Sequence, residues 1–308
     1  MARIETLMDS PIPRMIYDAV KAHSSDWRRP HLGASMIGKD CKRELWYSFR
    51  WAKAPDFDGR LLRLFETGNR FEDRIVEELQ LIGIVVSDRQ KYIDTGVNHF
   101  SGSIDGIAEG FPESNGLHLV EFKTHATKSW TALPAQGVKL AKPQHWLQMH
   151  VYMGALELKR AYYIAVNKDT DQLYAERVKY DEAVYAEARA KAAEVITAAT
   201  PPARIEDNPA RFACRFCNYR TMCHGQDVPE VNCRTCCHSD PSTTGSSWIC
   251  NRHGPIDTDL QKAGCPDHLF IPQILSLDPV DAGEDWIKYG TGWTNRNNSK
   301  EYKLEGDA

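Results

Sequence analysis

Nowhere in this chain do eighteen apolar residues follow one another, so a membrane-spanning helix is not expected. The first twenty residues, MARIETLMDSPIPRMIYDAV, hold no apolar stretch of signal-peptide length, and with the first absence this makes an intracellular protein the expectation. A surplus of charge is also missing: the net charge is −4 over 308 residues, so any surface for a polyanion must be local. The densest basic stretch holds Arg28, Arg29, Lys39, Lys42, Arg43 and Arg50. The cysteines, nine in number, cannot all pair, which argues against a complete disulfide framework. Eight of them fall in short-spaced groups with histidines between, a pattern that in a reducing compartment means metal more often than disulfide.

What is present is a chain 42% hydrophobic and 26% charged, enough for one substantial domain and a smaller appendage. Helical spacing is read over residues 11–23, and a short helix capped by Ser35 is expected within 35–52. A longer helix over 57–83 sets Leu61, Leu64, Phe65, Gly68, Ile75, Val76 and Leu79 toward the core, with Glu72 in the same stripe. Three strands near 84–94, 99–109 and 117–124 precede a helix at 143–156, strands at 160–167 and 173–180, and a helix at 181–199. This order predicts a mixed α/β core. After Pro201 and Pro202 the composition changes. The resulting division is a core domain over 1–226, a cysteine-rich module over 227–275 and a loose acidic tail over 276–308.

The chemistry concentrates between Ser103 and Lys123. Glu121 and Lys123 share one face of a strand because alternate side chains do, and Asp105 lies on the preceding strand across a Gly/Pro/Asn-rich turn. A hairpin there brings the two carboxylates together, where they repel unless a cation lies between them. Oxygen ligands suit magnesium or manganese, and the lysine could orient or help deprotonate a water for attack on a phosphodiester. Glu72 is an acidic side chain in an apolar stripe, costly unless paired or metal-bound, although at the stripe's edge it would simply reach solvent. On the helix at 143–156, Gln144, Gln148 and Tyr152 recur on one face, either as contacts to a phosphate backbone or as the polar rim of a buried helix.

Two cysteine systems follow. Cys214, Cys217 and Cys223 form a C-x2-C-x5-C run one ligand short of four, and Cys41 is the obvious fourth; spacing alone fits an iron–sulfur cluster or zinc. Cys233, Cys236, Cys250 and Cys265 are the expected zinc ligands of the second system, with His253 and His268 as substitutes. The intervening sequence is rich in Gly, Ser and Thr, so a metal is expected to be its main source of stability.

In order, Gly68-x3-Glu72, Asp105, Glu121-x-Lys123 and Gln148-x3-Tyr152 resemble the RecB-like branch of the PD-(D/E)xK nuclease superfamily. With Cys41 before that core and C-x2-C-x5-C after it, residues 35–225 are similar to the iron–sulfur members of the branch, among them the AddB nuclease domain and the CRISPR-adaptation exonucleases. The resemblance implies a restriction-endonuclease-like mixed sheet flanked by helices, with Glu72, Asp105 and Glu121 as ligands of magnesium or manganese and Lys123 as the catalytic lysine. It sets Gln148 and Tyr152 beside the active site and the DNA, and makes Cys41, Cys214, Cys217 and Cys223 ligands of a [4Fe–4S] cluster. Many relatives carry His where this chain has Glu72. The expected activity is a metal-dependent DNA nuclease, foremost an exonuclease on single strands or ends; the alternatives are an endonuclease on branched DNA and a non-cleaving adaptor. The cysteine- and histidine-rich extension after residue 226 looks like those on some phage or mobile-element nucleases.

Overall fold

The computed structural model describes residues 10–225, 227–290 and 294–296. Helix α1 (Ile12–Ala22) is followed by β1 (Leu32–Gly33), a single 3-10 turn, α2 (Lys42–Phe49) and the long α3 (Gly59–Leu81). Strands β2 (Val85–Ser87), β3 (Tyr92–Val97), β4 (Phe100–Ser103), β5 (Gly106–Glu109) and β6 (His118–His125) come next. Helices α4 (Thr127–Trp130), α5 (Ala132–Ala141) and α6 (Pro143–Ala155) precede β7 (Arg160–Asn167), β8 (Leu173–Lys179) and α7 (Glu182–Thr197). Short helices α8 (Phe212–Arg215) and α9 (Arg220–Cys223) lead to β9 (Ser239–Pro241), β10 (Trp248–Cys250), β11 (Gly254–Ile256) and α10 (Thr258–Ala263). Strands β12 (Pro279–Gly283), β13 (Trp286–Tyr289) and β14 (Thr294–Arg296) close the described chain. Among the described residues no helix is long and apolar enough to cross a membrane.

The central sheet runs β2-β5-β6-β7-β8, with β6 and β7 parallel and every other pair antiparallel, so it is mixed and flanked by helices as expected. Alternation along β6 sends Val120 and Phe122 into an apolar cluster with Ile75, Val76 and Leu79 of α3. Leu119 enters the larger core with Met149 and Tyr152 of α6. Asp58 caps α3 by accepting from Leu61 N at 2.7 Å. The expected stripe on α3 holds only in its second half. Leu64, Phe65 and Gly68 border an open cleft instead, and a Cβ added at Gly68 would meet nothing within 4 Å.

Three further expectations change. Ser35 caps no α-helix; α2 begins after Cys41, and the Ser35 hydroxyl accepts from Arg29 Nη1 at 3.0 Å. The single strand read at 99–109 is two strands in different sheets, since β4 pairs with β1 and β3 while β5 joins the central sheet. Asp105 therefore sits at the switch, and Gly106 beside it is needed because a Cβ would lie 2.7 Å from Val86 Cγ1. Of the stretch expected to be a loose tail, residues 279–290 and 294–296 form the β12-β13-β14 sheet, burying Ile287 and Tyr289; residues 291–293 and 297–308 lie outside the described chain.

The cysteine-rich region shares one continuous core with the N-terminal segment, because Phe49, Trp46, Cys233, Trp248 and Phe270 belong to the same buried cluster. Arg234 holds the two together. It is 1% exposed, its guanidinium carbon 3.6 Å from the Trp51 ring centroid and 4.6 Å from that of Trp248. It donates to Phe49 O at 3.0 Å, Pro30 O at 2.9 Å and Gln261 Oε1 at 2.9 Å. Arg50, equally buried, donates to Ser239 O at 2.9 Å and pairs with Asp240 at 3.3 Å. In Arg234→Met these acceptors lose their donor while bulk is kept, and the expected loss in unfolding free energy is about 3 kcal/mol. Urea titration measures it, and a variant as stable as wild type contradicts this account.

Candidate active site

The hairpin of β5 and β6, in register Gly106↔Val120, brings Asp105 against the end of β6. Asp105 Oδ2 accepts from Phe122 N at 2.8 Å and lies 3.5 Å from Lys123 Nζ. Glu121 is fully buried and forms an ion pair with Lys123, yet among the described residues neither of its oxygens receives a well-directed hydrogen bond. Burial pushes the Glu121 carboxyl up to about 8, with Asp105 adding to the rise and Lys123 opposing it. Burial acts on Lys123 the other way, but Glu121 and Asp105 outweigh it and hold its ammonium above the ordinary lysine range.

Glu72 reaches this group from α3. It is half-buried, accepts from Gln90 Nε2 at 3.1 Å and borders the cleft with Lys123 and Phe122. Burial first and the charge of Asp105 second raise it to about 7. Glu72 thus stands at the edge of the stripe, partly open to solvent in the cleft. On α6, Gln148 and Tyr152 are buried and Gln144 is exposed, so the three do not form one open polar face. Tyr152 is held above its usual range by burial and by Glu121 and Asp105, and its hydroxyl lies against Gly102.

Of the basic stretch, only Arg29 lines the cleft beside Glu72 and Lys123. Arg50 is buried, Lys42 pairs with Glu194 at 2.6 Å, and Arg28 pairs with Glu230 at 2.6 Å. A polar cluster missed by sequence reasoning continues the β6 face: the Tyr163 hydroxyl lies 2.8 Å from His125 Nε2 and 2.9 Å from His145 Nδ1. Burial lowers His125 to about 4 and His145 to about 3, with the nearby lysines contributing, so both are neutral at pH 7. The every-second-residue pattern from Glu121 through Lys123 to His125 was a usable signal. Tyr163 required the β6–β7 register.

All nine cysteines are free. Cys41, Cys214, Cys217 and Cys223, separated by up to 182 positions in sequence, line one cavity with Tyr47 and Tyr219. Burial pushes Cys217 up to about 11. In the second system Cys233 is driven to about 12 by burial and by the charges of Cys265, Cys236 and Cys250, so these four are electrostatic neighbours. Cys236 is lowered to about 7 by a hydrogen bond from Cys237, and its sulfur also accepts from His238 N and Leu269 N, each at 3.5 Å. Among the described residues the one group of three ligand atoms within 4.8 Å of one another is His253, Cys265 and Asp267. His268 turns away, 3.2 Å from Thr235 Oγ1. Asp267, 3.0 Å from His253, was not foreseen.

Residues 18–224 match the model of the PD-(D/E)XK nuclease superfamily, and the chain belongs to that superfamily. Its mixed sheet with flanking helices is the restriction-endonuclease-like fold of the family. Among solved structures, the chain is similar to the alkaline exonuclease LHK-Exo from Laribacter hongkongensis, also determined in complex with dAMP. The identity is 17% and the TM-score 0.41, over 59% of this chain and 90% of that one. It is also similar to SSO0001, at 12% identity and a TM-score of 0.43 over 72% of this chain and 100% of that one. No curated protein sequence matches.

The raised carboxyls give metal-free protein a defined pH response. A carboxyl whose folded value exceeds its unfolded value favours the folded state below the unfolded value, and that stability is lost as pH rises through the folded value. For Glu121 the window runs from 4.5 to about 8, and for Glu72 from 4.5 to about 7. The thermal midpoint in EDTA should fall between about pH 5 and about pH 8. Glu121→Gln should flatten that fall; an unchanged slope in the variant counts against the assignment.

Proposed function

We propose that this nuclease is a divalent-metal-dependent deoxyribonuclease, acting as an exonuclease on single-stranded DNA or DNA ends. One observation carries the reading: Asp105 and the fully buried Glu121 both pair with the ammonium of Lys123, at the edge of an open cleft that Glu72 also borders. This acidic set fits a hard cation, and Glu72, Asp105 and Glu121 would hold magnesium or manganese. Such a cation supplies Lewis acidity toward a phosphodiester. The chain's own groups do the rest. Lys123, held as an ammonium by its carboxylate neighbours, donates hydrogen bonds, so it orients an attacking water or a phosphate oxygen; in this state it does not accept the proton. Tyr152 is buried close enough to Glu121 and Asp105 to feel their charge, and Gln148 is buried one turn before it on α6. Arg29, exposed and with no carboxylate within 4.0 Å among the described residues, is available to a phosphate.

The two cysteine systems belong to the same proposal. Four free thiols around one cavity fit a [4Fe–4S] cluster on Cys41, Cys214, Cys217 and Cys223. In the second system Cys233, Cys236, Cys250 and Cys265 would take zinc, supported by the N–H bonds to Cys236 and by mutual proximity, with His253 beside Cys265 as the substitute ligand.

Incubation with labelled linear and circular DNA, with magnesium, manganese or EDTA, tests the reaction. Linear strands should be degraded from their ends, circles spared and EDTA inhibitory; cleaved circles would overturn exonuclease action. Lys123→Ala should lower the rate by about a thousandfold with the fold intact. Protein purified without oxygen should be brown and contain iron, and Cys41→Ala should bleach it; a colourless wild type holding only zinc refutes the cluster.

A further inference from the structure

Beside the cleft that holds Glu72 and Lys123 lies a second cavity, walled by Trp27–Arg29, residues of the 51–57 stretch and Asn218–Tyr219. Arg29 lines both. Four cations border the second cavity: Arg28 is paired with Glu230 at 2.6 Å and Lys39 with Glu44 at 2.6 Å, which leaves Arg29 and Lys53 as its available charges. Lys53 is half exposed and only loosely matched by Asp227 at 4.0 Å. Between the cavities stands Trp27, 40% exposed, braced edge-on by Phe57 at 5.5 Å and by Phe65 at 5.7 Å. Phe65 itself borders the catalytic cleft.

A partly exposed tryptophan held by two T-shaped ring contacts has a fixed position, and a nucleobase is the group whose flat π-surface matches an indole ring. Cations on either side suit the phosphates that flank such a base. A duplex conceals its base faces by stacking, so this combination selects an unpaired strand. We propose that single-stranded DNA runs from the catalytic cleft past Arg29 into this groove, with a base stacked on Trp27 and a phosphate beside Lys53. The proposal rests on the nuclease reading and adds to it the strandedness of the substrate and the route of the strand beyond the cleaved bond. It also gives a role to the junction of the N-terminal loop with the cysteine cavity, since Tyr219 borders both that cavity and the groove.

The test measures binding in EDTA, where cleavage does not interfere, by fluorescence anisotropy of oligothymidylates of about 4 and about 12 nucleotides. Wild type should bind the longer strand at least about tenfold more tightly, since one stacked base contributes that much or more. Trp27→Ala and Lys53→Ala should each bring the longer strand's affinity toward that of the shorter one. Lys53→Ala, which leaves the aromatic packing untouched, should reduce the slope of log affinity against log salt by about 0.7, and Lys53→Arg should restore it. Unaltered length dependence and salt slope in both variants, with wild type cleaving DNA normally, overturn the route alone. A wild type that binds duplex but no single strand overturns it as well. A wild type that neither binds nor cleaves any DNA overturns the nuclease reading and the route with it.

Discussion

A carboxylate with no exposed surface in the middle of a sheet is the constraint around which this protein is arranged. Removing Glu121 from water is costly, and an uncompensated charge there would simply be protonated. The strand solves part of the problem itself, because two residues later it returns an ammonium to the same face. Asp105 adds a second carboxylate, fixed by the Phe122 amide, and so restores the negative excess that Lys123 had reduced. The group therefore sets three carboxyls around one ammonium.

That arrangement dictates the surroundings. Asp105 reaches Glu121 because the chain changes sheets at Ile104 and Asp105, and a glycine follows since a larger residue would strike β2. The first half of α3 stays uncovered, so its leucine, phenylalanine and glycine form a wall of the cleft while the second half packs on the sheet. On the other side of β6, Tyr152 of α6 is buried in the core with Leu119.

Much of this was legible in residue order. The hairpin, the pairing of Glu121 with Lys123, and the gathering of Cys41 with a distant C-x2-C-x5-C run follow from local spacing and ligand arithmetic, and the chain places those groups together. What escaped depends on partners far apart. Nothing in a period of two marks the point where β4 and β5 part into different sheets. The histidines at 125 and 145 meet only through Tyr163, whose position depends on a parallel register. The stretch after Trp286 reads as polar and glycine-rich, but its few apolar residues, Ile287 and Tyr289, find a ready-made surface to cover. Arg234 was overlooked because a lone arginine between two cysteines looks solvated, and only its neighbours reveal a binding box.

Arg234 also orders events in time. Its acceptors at Pro30 and Phe49 are translated roughly two hundred residues before it, so during synthesis the emerging amino-terminal segment waits, unclasped, until most of the chain has left the ribosome. Closing so wide a loop is slow. A half-made chain therefore lacks the guanidinium that fixes the backbone next to Arg29, and the segment at Pro30 gains its clasp only after residue 234 has been made.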